Sequence, residues 1–408
     1  MSGRGITFST TVLPNGLTLV GEQRSTAVSA AIGFFVQTGA RDEEPLLSGV
    51  SHFLEHMMFK GTEKRSCLDI TYEMGAMGAQ SNAYTSEENT VYYMAVLPEY
   101  VADALELLSD MLRPSLRPDD FEMEKKVILE EIALYQDKPT HVLFETAIRK
   151  FFGSHPAGNS VLGRTEGISA LTHQQMRGYF ERRYTASNIV LGAAGNFSWN
   201  EFVSLAQKYC GGWPAGEAGR ERRGHVPEQG RHGLSKSELL QAHFCAVAPG
   251  PSASDERRYA AELVGCVLGD SSGSRAFWGL IDKGLADVAT IDCDTMDGTG
   301  IIFGYASSTP EQIDEVAEIL VNIMNTPKVF TNEELEYAKT KVATRLVLQG
   351  ESSLRRLMAI GNDWIYRKEY VPLDEELARI QLVDRSSVEL MLELFTFAPT
   401  TFVTLLPA

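Results

Sequence analysis

Two histidines and a glutamate lie close together in the segment SHFLEHMMFKGT, residues 51–62. His52 and His56 are four residues apart, and Glu55 lies between them. On a helix, which turns by about 100° per residue, the three side chains fall in one sector of the surface. Two imidazoles one turn apart can bind the same divalent ion, and the carboxylate beside them can act as a general base. The alternative is that the two histidines share a helix face by chance, and the glutamate between them makes this alternative less favoured.

A zinc site of this kind needs a third protein ligand from another element. A helix is predicted over residues 119–136, with Asp119 as its N-cap, and Glu124 and Glu131 lie near the middle of its apolar arc while Glu130 lies at the rim. The arc consists of Phe121, Met123, Val127, Ile128, Ile132, Leu134 and Tyr135. Carboxylates inside a buried stripe are costly unless they are paired or bind an ion. The pattern predicts either two internal ion pairs or one metal ligand supported by the other carboxylate, and it favours Glu131 over Glu130 without deciding between Glu131 and Glu124.

The order of residues in HFLEH is the inverted zincin motif. With GARDE (39–43), NAYTSEENTVYY (82–93) and EKKVILEEIALYQDKP (124–139), it resembles the pitrilysin/insulysin family of zinc metallopeptidases, in particular the mitochondrial-processing-peptidase-like branch. The resemblance implies that Glu131 is the third ligand of one Zn²⁺ per chain and that Glu124 supports the site.

The resemblance also assigns a substrate-binding strand. It implies that Asn82, Ala83 and Tyr84 lie on an edge strand that takes the substrate as an added β-strand, a mode in which main-chain hydrogen bonds recognise many sequences. Without the resemblance, the same residues would also suit an ordinary internal strand.

One departure from the family lies in the second half of the chain. Active relatives carry an arginine and a tyrosine seven residues apart that contact the substrate near the zinc. When the chain is aligned on Gly284-Leu285-Ala286, Leu280 and Asp287 occupy those positions. The second half of the chain also repeats the pattern of the first, and in that repeat Arg345 takes the place of Glu131.

The elements that must position these residues occur twice. Residues 93–128 resemble residues 304–342, each reading as strand, amphipathic helix, turn and second helix, and residues 171–197 resemble residues 383–408. The HxxEH segment has no counterpart in the second copy, and its helix is predicted to end with Gly61 as the C′ residue.

The repeat predicts an α+β fold of two homologous α/β sandwich domains, each an antiparallel sheet with helices packed on one face. The predicted domains are a zinc-binding catalytic domain over 1–213 and a homologous domain without metal over 237–408. The Gly-, Pro-, Arg- and Glu-rich stretch 214–236 is predicted to be the linker.

Composition limits the partners and the compartment. The 408 residues carry a formal net charge of −17, which argues against nucleic acid or an anionic membrane as the main partner. Five scattered cysteines without a CxxC pair favour a reducing compartment. No signal-peptide pattern and no apolar run of about 18 residues are present, so a cytoplasmic protein is expected.

The leading hypothesis is a zinc metalloendopeptidase that hydrolyses peptides or unfolded segments through a metal-activated water, with Glu55 as general base. It is expected to work as a homodimer or as a heterodimer with a paralogous chain. A weakly active or non-catalytic subunit of the same fold, which binds peptides or a paired peptidase chain, is the main alternative. A non-proteolytic metal hydrolase is a third hypothesis.

Overall fold

The computed structural model describes residues 5–217, 219–220 and 224–408, so part of the predicted linker, residues 218 and 221–223, lies outside the described residues. The described residues form two compact units. The first comprises the residues up to Ile132, those from Asn159 to Arg220, and Leu348–Val371. The second comprises Ala133–Gly158, the residues from Gly224 to Val347, and Pro372–Ala408.

Each unit is built around one β-sheet. The strands are β1 (Ile6–Val12), β2 (Thr18–Arg24), β3 (Ala30–Val36), β4 (Gln80–Thr85), β5 (Thr90–Val96), β6 (Ile189–Gly195), β7 (Gly230–Lys236), β8 (Ala242–Pro249), β9 (Val288–Met296), β10 (Thr299–Ser308) and β11 (Thr401–Pro407). The first sheet has the order β1-β2-β6-β3-β5-β4 and the second has the order β7-β11-β8-β10-β9. With β2 matched to β7 and β6 to β11, the two orders coincide, which is the duplication that the sequence repeat predicts.

The helices, in chain order, are α1 (Val50–Met57), α2 (Cys67–Ala76), α3 (Val101–Met111), α4 (Pro118–Gln136), α5 (Pro139–Phe152), α6 (Thr165–Ala170), α7 (His173–Arg183), α8 (Trp199–Cys210), α9 (Arg258–Gly269), α10 (Ile313–Asn325), α11 (Asn332–Gly350), α12 (Ser353–Arg367), α13 (Leu373–Leu382) and α14 (Arg385–Leu394). Among the described residues, no helix combines the length and the apolar character that a membrane span requires.

The two-domain α+β fold is confirmed, but two details of the prediction change. Each sheet contains one parallel pair, β2 with β6 and β7 with β11, because the returning strand arrives after several helices rather than through a hairpin. The predicted linker is also wrong at its end, since residues 230–236 form β7. This strand pairs through its main chain with β11 and therefore needs no apolar run.

Helices cover both faces of the sheets, whereas the sequence predicts one covered face. In the first unit, Leu357 and Ile360 of α12 pack against Phe35 and its neighbours on one face of the sheet. Ile32 and Phe34, which point to the opposite face, are also fully buried. In the second unit, α5 packs against β8 and β11, while α9 and α10 contact β9 and β10. The helix that follows α4 thus belongs to the second unit, and the helix that follows α11 belongs to the first.

Helix α4 begins one residue before the predicted start. Pro118 is its first residue, and Asp119 lies in the first turn rather than at the N-cap. Proline suits this position because its fixed φ angle matches the helix and its missing N–H would have had no partner there. Asp119 still contributes a negative charge near the positive end of the helix dipole.

Two glycine-to-alanine substitutions test the close approach of α12 to the first sheet. A Cβ atom on Gly361 would overlap the ring of fully buried Phe35, so Gly361→Ala should lower the free energy of unfolding by about 1–3 kcal/mol. On α7, a Cβ atom on Gly178 would meet nothing closer than Arg182 Nη1 at 3.6 Å. Gly178→Ala should therefore stabilise by about 0.5–1 kcal/mol. Urea denaturation of both variants measures the contrast, and equal effects would contradict the packing described.

Candidate metal centre

The helix that carries HFLEH is held at its N-terminus by a buried carboxylate. The Gly49 N–H donates to Glu43 Oε2 at 2.6 Å, and the Ser51 N–H donates to Glu43 Oε1 at 2.8 Å. These are N–H groups that the first turn of a helix leaves without partners, and a negative charge is favoured beside them. Burial raises the pKa of Glu43 to about 8, against the opposing effect of the two N–H donors. In the sequence, Glu43 is part of GARDE, and no spacing pattern indicates this contact with the helix.

The same helix ends earlier than predicted. Its last residue is Met57, and the N–H groups of Phe59 and Lys60 donate to the carbonyl groups three residues before them, those of His56 and Met57. These tight turns end the helix before Gly61, so the prediction of Gly61 as the C′ residue is wrong.

The structure brings His52, His56 and Glu131 together. One donor atom from each lies within 4.8 Å of the others. Glu131 Oε2 is 3.7 Å from His52 Nε2 and 3.5 Å from His56 Nε2. Two ligand atoms that bind one zinc ion at tetrahedral angles are about 3.4 Å apart, so this arrangement fits the ion with small adjustments. Among the described residues, no other group of histidine, cysteine and carboxylate side chains meets the same distance criterion.

The protonation state of His52 suits metal ligation, and a contact with Glu124 orients His56. Burial, together with the charge of His56, lowers the pKa of His52 to about 4, so the imidazole is neutral near pH 7 and has a lone pair for a metal. His52 Nδ1 is buried and has no hydrogen-bond partner among the described residues. His56 Nδ1 lies 2.8 Å from Glu124 Oε1, a contact that leaves Nε2 directed at Glu131. Burial lowers the pKa of His56, but the contact with Glu124 and the charge of Glu131 outweigh it and raise the pKa overall.

Glu124 is the buried carboxylate of α4, with 3% of its surface exposed. Besides His56 it forms an ion pair with Lys60. Burial raises the pKa of Glu124, but the bonds to His56 and Lys60 outweigh it, so the pKa is lower than usual and the carboxylate stays charged. Glu124 thus has features of both alternatives predicted for the apolar arc. It forms an internal ion pair with Lys60, and it also contacts His56.

The apolar arc of α4 is narrower than predicted. Met123, Val127 and Leu134 are 64%, 43% and 58% exposed, so they do not belong to the buried face. The buried face consists of Phe121, Glu124, Ile128 and Ile132. Glu131 lies at its edge with 26% of its side chain exposed, and Glu130 points outward. It is thus Glu131, not Glu130, that lies beside the histidines.

Glu55 shares the helix with both histidines but is not part of the donor group. Its Oε2 accepts a hydrogen bond of 2.6 Å from the hydroxyl of Thr85, a residue that sequence analysis did not single out. Burial raises the pKa of Glu55, partly offset by the Thr85 hydroxyl. A carboxylate of raised pKa beside a metal site is suited to accept a proton near neutral pH.

Strand β4 lies at the open edge of the first sheet and contacts α1. Asn82 and Tyr84 are exposed, and Ala83 is partly buried between them. The Ala83 N–H donates to Asn82 Oδ1 at 2.9 Å. The internal-strand alternative for these residues is wrong, while their binding of substrate stays a prediction.

In the second unit, Leu280 and Asp287 lie in different environments, one buried and one exposed. Leu280 is fully buried in the apolar core of that unit, in a short helical turn over Phe277–Ile281. Asp287 accepts a hydrogen bond of 2.6 Å from Gln241. Arg345, at the position that corresponds to Glu131, forms an ion pair with Asp270 at 3.3 Å.

Comparison with known proteins identifies the family. The model of the insulinase family, peptidase family M16, matches residues 18–165, and the model described as the peptidase M16 inactive domain matches residues 170–342. The uncharacterized zinc protease YmxG of Bacillus subtilis is 32% identical over 388 residues, which is 94% of each chain. The chain belongs to peptidase family M16. The HxxEH segment thus lies in the part of the chain that the insulinase model matches, and residues 304–342 of the second copy lie in the part that the inactive-domain model matches.

Solved structures share the M16 fold over nearly the whole chain. A protease from Helicobacter pylori superposes with a TM-score of 0.90 at 19% identity, covering 98% of this chain and 100% of that one. A chain of complex III2 from Candida albicans superposes with a TM-score of 0.85 at 16% identity, covering 98% of this chain and 95% of that one. At these identities the likeness concerns the fold alone.

Adjacent glutamates on α4 provide a matched pair of variants. Glu131→Gln should lower zinc affinity by more than the roughly 10–100-fold that follows loss of a supporting residue, because it removes a charged donor. Glu130→Gln removes the same charge from an outward-pointing neighbour and should leave zinc affinity unchanged. Zinc competition with a chromogenic chelator measures both, and equal losses would rule out Glu131 as the specific ligand.

Proposed function

We propose that this M16 protein is a zinc-dependent metalloendopeptidase that hydrolyses peptides or unfolded polypeptide segments. The observation that carries the proposal is the convergence of His52 and His56 on Glu131, with a proton acceptor, Glu55, on the same helix. The relatives named zinc proteases support the choice of metal.

His52, His56 and Glu131 would hold the ion, and Glu124 would keep His56 in the required tautomer. When bound, Zn²⁺ supplies a Lewis acid that polarises a peptide carbonyl and makes a water molecule more acidic. Glu55 accepts a proton at its carboxylate, whose Oε2 accepts a hydrogen bond from Thr85 and whose Oε1 contacts no hydrogen-bond donor among the described residues. The same carboxyl group can then pass that proton to the leaving amine.

The substrate is proposed to bind along the open edge of β4, at Asn82, Ala83 and Tyr84. An extended peptide can satisfy unpaired main-chain groups at such an edge, which a folded domain cannot do without unfolding locally. Because β4 contacts α1, a strand added there passes close to the proposed zinc ligands. This arrangement supports peptides or unfolded segments as substrates rather than small molecules, and it disfavours the third hypothesis.

A subunit with weak or no turnover is the second candidate. Its support is the second unit, where Leu280 is buried in the core and Asp287 is bonded to Gln241, so neither supplies a cationic or phenolic contact to a substrate. Such a chain would bind peptides or a paired peptidase chain and retain the metal.

Glu55→Gln separates these candidates. The variant should retain zinc and its unfolding temperature, because Glu55 lies outside the donor group, but should lose about 10²–10⁴-fold in peptide hydrolysis. Quenched fluorescent peptides measure the rate, mass spectrometry measures the zinc, and chelator-treated wild type defines the background. Hydrolysis near the wild-type rate would contradict the role of Glu55. Zinc-loaded wild type that cleaves no peptide of any length would favour the second candidate.

We also propose that the working unit contains two chains. One chain offers a single donor cluster among its described residues and two sheet-based units, and two such chains could enclose an extended substrate. Two-fold pairing is the commonest outcome for soluble oligomers. The partner is an identical chain or a paralogous one.

Light scattering coupled to size-exclusion chromatography, across a dilution series, tests the pairing. The active species should have about twice the chain mass of 45.0 kDa, and activity should fall where the complex dissociates. A monomer with full activity at every concentration would overturn the two-chain proposal. A monomer without activity that gains it when a paralogous chain is added would support the heterodimer.

A further inference from the structure

We propose that Thr85 is a positioning residue that fixes the orientation of the Glu55 carboxylate and links it to the edge strand β4. This inference rests on the proposed function, because it concerns the group that would accept the proton. It assigns to the last residue of β4 a role in turnover rather than in substrate affinity.

The geometry at the end of β4 directs Thr85 towards Glu55. Thr85 pairs with Thr90 across the hairpin, and alternation along the strand puts Ser81, Ala83 and Thr85 on one face of the sheet. These three residues are partly buried, whereas Asn82 and Tyr84 on the other face are exposed. Helix α1 contacts β4 on the buried face, and there the Thr85 hydroxyl donates to Glu55 Oε2 at 2.6 Å.

The Thr85 hydroxyl is the one hydrogen-bond donor that contacts the Glu55 carboxylate among the described residues. The terminal torsion of a glutamate is broad, so packing alone does not select which oxygen faces the metal. With Oε2 held by Thr85, Oε1 contacts no hydrogen-bond donor among the described residues, and it is the oxygen that we assign to proton transfer. Loss of the hydroxyl should therefore let the carboxylate rotate without moving the helix that carries it.

Thr85 is itself held by the turn that joins β4 to β5. The Ser86 N–H donates to the carbonyl of Asn89 at 2.8 Å, and Ser86 Oγ accepts the Asn89 N–H at 3.1 Å. The hydroxyl of the paired Thr90 donates to the carbonyl of Thr38 at 2.9 Å. A peptide added to β4 would thus lie on the strand whose rigid end orients the proton acceptor. The strand would contribute both substrate binding and the alignment of Glu55.

Thr85→Val tests the inference because valine keeps the shape and the strand preference of threonine and replaces only the hydroxyl with a methyl group. We expect kcat to fall about 10–100-fold, the scale of a small misplacement of a reacting group, while KM changes less than about threefold. Zinc affinity and the unfolding temperature should match wild type. Thr85→Ser, which restores the hydroxyl, should return kcat to within about threefold of wild type. Thr85→Ala replaces the valine variant if that variant does not fold.

A double variant and a crystal structure complete the test. Thr85→Val in the Glu55→Gln background should cost nothing further, since the two residues act as one unit. Crystal structures of the zinc-loaded chain should show one Glu55 orientation in wild type and Thr85→Ser, and a rotated or split carboxylate in Thr85→Val. An unchanged kcat in Thr85→Val, or an additive loss in the double variant, would overturn the inference and leave the proposed function intact. If wild type proves inactive, the crystal structures still decide whether Thr85 orients Glu55.

Discussion

The candidate site depends on the contact between the buried Glu43 carboxylate and the first N–H groups of α1. An isolated helix of eight residues is unstable in water, so this one must be held by the rest of the fold. Glu43 accepts hydrogen bonds from two of its free N–H groups at once, in a buried position that raises the pKa of its carboxyl group to about 8. At the same end, the Ser51 hydroxyl contacts Tyr179, which in turn contacts Thr38, two residues after the end of β3. Small shifts at this end would move both histidines together.

The loop that carries Glu43 is fixed by buried charges. Asp42 forms ion pairs with Arg183 at 3.2 Å and with Arg220 at 3.0 Å, and Arg220 also reaches Glu88 at 3.1 Å. Arg41 binds the same Glu88 carboxylate. Breaking a buried pair by removing one partner leaves an uncompensated charge, which is strongly destabilising. The network therefore holds the loop in place, and Glu43 on this loop holds the N-terminus of α1, the helix that carries both histidines.

The sequence predicted the parts of the site that follow local periodicity, and it missed those that depend on tertiary contacts. The four-residue spacing of His52 and His56 and the strand–helix repeat are local patterns, and both reappear in the structure. The breadth of the arc on α4 was overestimated because an apolar residue such as Met123 can be exposed without a signal in the sequence. Glu43 and Thr85 were not singled out because their partners lie 6 to 30 residues away and no spacing rule connects them.

The boundary predicted at residue 213 separates the two sheets but not the two units. Helix α12, which lies beyond that boundary, covers the face of the first sheet that includes Phe35, and Arg356 on this helix forms a buried ion pair with Glu22 of β2 at 2.6 Å. Each buried leucine or isoleucine of α12 contributes about 1.5–3 kcal/mol, a large fraction of the stability of a domain. An N-terminal fragment cut at 213 would retain every proposed zinc ligand and yet expose this face and leave Glu22 without its cation. The metal site is therefore encoded in the first repeat, whereas the sheet behind it is completed by a helix of the second.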